Sequence, residues 1–328
     1  MLRFHSTNAK GDIAVGLDAT ALPVEVNWID AFLADEQEIA FLERILGIAF
    51  PSLERLSEIE TSSRLYRDKD HLFMSMPMIY RPPSGLAEMS PLGFILCKSY
   101  VLTVRYKPIK ACEDLHYADV VENHRVADGP GAFIGLLEVI IDHAADELEK
   151  INADLDRLSQ MIFDVNGGAR PRGPRQDNKD LRRVLSLIGR NGDLASKISD
   201  VILGTGRMLP FVTSEAVDYL SPEARKKLKS LGSDISSLNE YETRQTDKIQ
   251  FLLDATLGLT NIEQNNIFRI LTVVSVIGIP PTLVASMYGM NFKNMPELEW
   301  HYGYAYGLAL IFLSAIIPVI WFKRRGWW

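Results

Sequence analysis

Charge is missing from two stretches of this 328-residue chain. No Asp, Glu, Lys or Arg occurs in the 23 residues from Ile270 to Phe292, nor in the 21 from Tyr302 to Phe322. At about 1.5 Å per helical residue, each stretch can cross a hydrocarbon core about 30 Å thick. Two C-terminal transmembrane helices are therefore expected. A pair of buried core helices is the competing reading, but a short connection, aromatic ends and a basic tail fit membrane spans better. Cysteine is nearly absent: Cys97 and Cys112 offer no disulfide framework and are expected as reduced thiols in a cytoplasmic part. The first residues, MLRFHSTNAKGD, lack an apolar core and are not expected to act as a signal peptide. Phosphate-cradling glycine loops and paired-histidine metal motifs are missing too, Gly204-Thr205-Gly206 being too short for the former. Without a nucleophile, base or cofactor constellation, an enzyme is not expected.

The flanks of the spans set an orientation, because basic residues near span ends are retained on the cytoplasmic side. Arg269 precedes the first span and Lys323, Arg324 and Arg325 follow the second, whereas the connecting loop sets Lys293 against Glu297 and Glu299. Both termini are expected in the cytoplasm. Trp300, Tyr302, Tyr304, Trp321, Trp327 and Trp328 stand where interfacial aromatics belong.

Upstream, short apolar runs separated by polar or Pro/Gly turns predict strands at Val24 to Trp28, Ser63 to Tyr66, Leu72 to Tyr80 and Phe94 to Tyr106. Pro77 marks the third as a possible edge strand. Ile39, Leu42, Ile45 and Leu46 share one face of a helix predicted over Glu36 to Leu46. From Gly131 to Phe163, Leu136, Ile140, Ala144, Leu148, Ile151, Leu155 and Leu158 recur at helical steps. NGGARPRGPR, Asn166 to Arg175, then breaks the pattern, and a second helix is predicted from about Asp177 to Met208. Asp142, Asp146, Glu147, Glu149, Asp154 and Asp156 make the first arm acidic, as a solvated face usually is.

Ser221-Pro222-Glu223 supplies a cap, a proline suited to the first helical position and a dipole-compatible acid. No proline follows until Pro280, so helix is predicted from Pro222 to Tyr288, about 100 Å if unbroken. Its stripe of Leu228, Leu231, Ile235, Leu238, Glu242, Gln245, Ile249, Leu252, Thr256 and Leu259 has coiled-coil spacing. Packing on its own domain and self-association both explain the stripe. Continuity into the first span favours self-association, and two spans per chain are too few to enclose a path.

The loop between the spans carries Tyr288-Gly289-Met290-Asn291 and Met295-Pro296-Glu297-Leu298-Glu299-Trp300. With Asn261-Ile262-Glu263-Gln264-Asn265 and Pro280-Pro281-Thr282-Leu283 upstream, these motifs resemble those of the CorA magnesium transporter family. The resemblance in motifs covers about residues 250 to 328; over residues 1 to 220 it rests on architecture. Magnesium sheds water reluctantly, so a selective mouth is best built from neutral oxygens that hold its hydration waters. A ring of Asn291 amides beside Gly289 carbonyls and Met290 meets that need, with Gly289 free to adopt unusual dihedrals. A plain glycine cap and Asn turn is the bland alternative. Asn265, Phe268, Leu271, Ser275, Ile279, Thr282 and Ser286 form one stripe leading back from Asn291; the resemblance places Asn265 and Thr282 in the pore, and small residues also serve plain helix packing. Glu297 and Glu299 are expected to draw cations to the mouth.

The resemblance implies a membrane protein with an α/β cytoplasmic domain, a long stalk helix and two C-terminal transmembrane helices, assembled as a funnel-shaped homo-oligomer, a pentamer. The expected segments are a cytoplasmic α/β domain at 1–130, a helical hairpin at 131–220 and a stalk at 221–266. The pore-lining span then covers 267–288, the outer loop 289–302, the second span 303–322 and the basic tail 323–328. The resemblance implies Mg2+ as the transported and regulatory ion, Co2+ and Ni2+ as lesser substrates, and a bacterial inner membrane location. Partners expected are the bilayer, divalent cations and further copies of the chain, with no nucleic acid and no organic cofactor. Asp234, Asp247 and Asp254 are candidates for sensing cytoplasmic Mg2+. A zinc transporter of the same superfamily, against which Met290 argues, and a non-conducting membrane-anchored coiled-coil scaffold are the rivals.

Overall fold

A computed structural model describes residues 1–6, 13–83, 85–114, 128–163, 174–291 and 295–326. The chain divides into two compact units, Met1–Arg170 with Arg182–Leu253, and Pro171–Leu181 with Asp254–Trp328.

The first unit is built on a six-stranded sheet of β1 (Leu2–Ser6), β2 (Val26–Phe32), β3 (Leu65–Asp68), β4 (His71–Tyr80), β5 (Glu88–Leu96) and β6 (Val101–Arg105). Their order is β1-β2-β6-β5-β4-β3, antiparallel except where β2 pairs with β6. Side chains alternate between the faces of a strand, and β4 shows it plainly. Leu72, Met74, Met76 and Met78 join one core, whereas Phe73 joins the other. The second core is closed by α1 (Glu36–Leu46), through Phe41, Leu42 and Leu46, and by Leu56 of α2 (Leu53–Leu56). Asp35 caps α1 by accepting from the Gln37 and Glu38 amides, while Glu38 accepts from the Asp35 amide in a capping box. Gly47 closes it at φ 65°.

The predicted strand at Phe94 to Tyr106 is two strands. Lys98 and Ser99 are exposed in a turn closed by the Cys97 amide donating to Tyr100 O at 3.0 Å. β3 flanks β4 only from His71 to Met74, so β4 is locally the edge of the sheet where Pro77 stands. β3 ends its pairing at Leu65 opposite Met74, so Pro77 lies beyond its reach and removes no ladder bond there. β1 was not foreseen. Cys97 and Cys112 are both buried free thiols.

After α3 (Thr61–Arg64) and α4 (Lys110–Asp114), three long helices follow: α5 (Gly129–Phe163), α6 (Pro174–Glu215) and α7 (Pro222–Tyr288). The predicted break from Asn166 to Arg175 lies almost wholly outside the described residues. Every member of the α5 stripe, Leu136 to Leu158, is buried, and Asp142, Asp146, Glu149 and Asp156 are exposed. Ser221 caps α7, its hydroxyl accepting from the Ala224 amide at 3.0 Å.

The α7 stripe is satisfied within its own chain. Leu228, Leu231, Ile235 and Leu252 belong to the core that α5 and α6 share. Gln245, 3% exposed, donates through Nε2 to the carbonyl of Leu148 on α5 at 2.6 Å. Packing on its own domain therefore accounts for these positions, including those beyond Glu242, and they are not available to hold copies together. Amphipathic spacing shows that a face is buried and leaves its partner undecided.

Candidate functional site

The second unit holds the membrane-facing chemistry. The apolar part of α7 runs through Pro280 and Pro281 without a break in helix, and α8 (Gly303–Arg324) follows after a short turn at Pro296–Glu299. Both helices are long and apolar enough to cross a membrane. The apolar window of α7 is wholly unburied within one chain. Large hydrophobic side chains face outward on all sides, which a bilayer and neighbouring helices can cover and water cannot.

Asn265, Phe268, Leu271, Ser275, Ile279, Thr282 and Ser286 all lie on this helix, within about a third of its circumference at about 100° per residue. Phe268, Leu271 and Ile279 are 63%, 60% and 64% exposed. The Thr282 hydroxyl donates to Gly278 O at 2.8 Å. Its proton is thereby committed to the helix, and its oxygen keeps lone pairs that can only accept, as a cation's hydration water requires.

α7 ends in a tightened turn. The Gly289 amide donates to Ala285 O at 3.0 Å and Ser286 O at 3.2 Å, and the Met290 amide to Met287 O at 3.3 Å. Gly289 does not take the unusual dihedrals expected of it, since the glycines with positive φ among the described residues are Gly47, Gly85 and Gly326. A Cβ there would meet Ala285 O at 3.4 Å, an ordinary van der Waals contact. Met290 and Asn291 are exposed beyond the helix end, where the negative pole of the helix favours cations.

Glu299 is exposed at the end of the short turn, and the side chain of Glu297 lies outside the described residues, as do Lys293, Trp327 and Trp328. A cleft of about 510 Å³ brings Gly289 together with Tyr288, Trp300, His301, Gly303 and Tyr304. His301 was missed in the sequence; its only signal was a lone imidazole directly after the aromatic end of the acidic loop. Trp300, Tyr302, Tyr304 and Trp321 are exposed, as interfacial aromatics should be.

Asp234, Asp247 and Asp254 are exposed on α7 but do not converge. At about 100° and 1.5 Å per residue, Asp247 and Asp254 share a face about 10 Å apart, and Asp234 lies well round the helix from both. Among the described residues no three His, Cys, Asp or Glu side chains gather as a metal site.

Comparison with known proteins bears on this arrangement. The family described as CorA-like Mg2+ transporter protein matches residues 24–324. The magnesium transport protein CorA of Yersinia pseudotuberculosis is 32% identical over 302 residues, covering 92% of this chain and 91% of the relative. That of Escherichia coli is 31% identical over 306 residues, 93% and 92% of the two chains. Among solved structures, the complete CorA magnesium transporter of Methanocaldococcus jannaschii superposes with TM-score 0.70 at 21% identity, covering 92% and 91%. The ZntB cytoplasmic domain of Vibrio parahaemolyticus superposes at 0.51 with 11% identity, covering 80% and 98%.

Proposed function

The chain belongs to the CorA-like Mg2+ transporter family, and from that premise we propose that it carries Mg2+ across the bacterial inner membrane as a homo-oligomeric channel. The observation that carries this reading is the apolar end of α7, unburied within one chain and ending in Gly289-Met290-Asn291. Copies assembled around the stripe from Asn265 to Ser286 enclose a path, five by resemblance. Asn291 amides and Gly289 carbonyls at its mouth hold the hydrated ion through its waters. Thr282 and Asn265 accept from those waters further in, and the rings of Phe268, Leu271 and Ile279 constrict the path and gate it by dewetting. Glu297 and Glu299 raise the cation concentration outside.

Both termini lie in the cytoplasm in this reading, with the segments as expected above. Membrane potential drives entry, giving about 2.3 kcal/mol per charge per 100 mV and about twice that for a divalent ion. Cytoplasmic Mg2+ closes the channel by bridging carboxylates of adjacent subunits, with Asp234, Asp247 and Asp254 as candidates, because the bridged state is the one the ion binds. Co2+ and Ni2+ are lesser substrates. The zinc-transporter rival draws on a likeness of fold alone.

The test is uptake into liposomes holding the purified protein and an internal Mg2+ reporter. An inside-negative potential without a proton gradient is expected to drive Mg2+ entry. Entry that needs a proton gradient favours the zinc-type rival, and none under either condition favours the scaffold.

A further inference from the structure

The cleft beside Gly289 has a chemistry that a path for hydrated Mg2+ does not require. Toward the middle of the two apolar helices its walls are Ala285 of α7 and Leu308 and Ile311 of α8. Toward the helix ends they are aromatic, with Tyr288, Trp300 and Tyr304. α7 and α8 meet here: a Cβ on Gly307 would touch the Tyr288 ring at 4.0 Å. Trp300 is held in the turn by its carbonyl, which accepts from the Gly303 amide at 3.0 Å, and by its indole, which lies 5.9 Å from the Tyr306 ring between centroids.

Both signs of charge are offered to an occupant. α7 ends at the cleft and α8 begins there, so the negative pole of one helix and the positive pole of the other border the same space. No side chain caps the first amides of α8, since Tyr302 at the cap position makes no such bond. Glu299 stands exposed next to Trp300. Apart from the His301 imidazole the lining holds no basic side chain, and no Lys or Arg occurs among the described residues from 285 to 311.

An occupant that matches these walls has three parts. An ammonium group is attracted by the rings of Trp and Tyr and by the Glu299 carboxylate. A phosphate suits the free amides and positive pole at the start of a helix. An apolar body covers Leu308 and Ile311, which water cannot do at no cost. The place of the cleft fits the same molecule: both helices are long and apolar enough to cross a membrane, and the cleft lies where they end, at the level of the headgroups.

We propose that the cleft holds one phospholipid with a zwitterionic headgroup, its ammonium among Tyr288, Trp300 and Tyr304, its phosphate at the start of α8 and its chains along Leu308 and Ile311. The site rests on α7 and α8 spanning the bilayer and not on which ion the protein carries.

The experiment uses the full chain, delipidated in detergent and titrated separately with phosphatidylethanolamine and with phosphatidylglycerol, which has the phosphate but no ammonium. Bound lipid is counted by native mass spectrometry, and glycerophosphoethanolamine, the headgroup without chains, is added as a competitor. Phosphatidylethanolamine is expected to saturate at one per chain and to bind about fivefold or more tightly than phosphatidylglycerol. W300A is expected to lose that preference and W300F, which keeps a ring, to retain most of it. Y302A removes an exposed aromatic outside the cleft lining and is expected to leave the preference unchanged. All variants are compared at the same oligomeric mass, and Mg2+ uptake is not read, so failure of the transport reading leaves the result standing. Equal binding of the two lipids by wild type, or an unchanged preference in W300A, would overturn the proposal. So would displacement of the lipid by glycerophosphoethanolamine at equal concentration, which would make the occupant a free zwitterion.

Discussion

Asp30 is wholly buried on β2, and Arg105 reaches it across β6 with Nε 3.1 Å from Oδ1 and Nη2 2.9 Å from Oδ2. Thr103 donates to the same carboxylate at 2.9 Å and accepts from the Trp28 indole. Removing one partner from such a pair strands the other charge, so D30N is expected to cost about 3–5 kcal/mol, measured as a lowered denaturant midpoint. Glu147 adds a pH dependence. Burial acts to raise its pKa, but the hydrogen bond from Lys150 and the charge of Arg81 outweigh that and hold it below the usual carboxylate range. A depressed folded pKa gives stability that is present above the unfolded carboxyl's pKa, near about 4.3, and is lost as pH falls through the folded value. E147Q is therefore expected to flatten the fall in melting temperature on acidification below about pH 4.3. An equally steep fall in the variant would contradict the assignment. Such pairings were not legible in the sequence, since Asp30 and Arg105 are 75 residues apart and meet only through the β2–β6 register.

At the scale of elements, periodicity and caps were legible and partners were not. The ranges predicted for α1 and α7 match the structure because both carry their own start signals, Asp35 and Ser221. The β5–β6 turn escaped notice because it is a short interruption in a long apolar run. α5 begins against that turn at Gly129, where a Cβ would lie 2.5 Å from Cys97 O and 2.6 Å from the Tyr100 carbonyl. G129A is expected to lower stability by about 1–3 kcal/mol, as overpacking does. Gly189, on α6, has nothing within 4 Å of such a Cβ. G189A is expected to raise stability by about 0.5–1 kcal/mol, so thermal melts of the two variants should move in opposite directions. At the mouth, the motif showed which residues end α7 but not how. Gly289 is not among the glycines with positive φ, and no sequence spacing carries that backbone angle.

For the whole molecule, the account requires several copies. One chain of 36.9 kDa leaves the apolar stretch of α7 unburied, and the stripe that resembled an oligomer seam is used at home. Contacts between copies must therefore come from other surfaces, the exposed α7 stretch foremost. Light scattering of the detergent-solubilised protein is expected to give the protein mass of five copies; the mass of one would contradict the assembly. The central claim is that Asn291 makes the selective mouth, and potential-driven Mg2+ uptake into liposomes by wild type and N291A tests it most directly. With both proteins shown to be folded and of the same oligomeric mass, the account predicts entry in the wild type and its loss in N291A. Equal uptake by the two would contradict it.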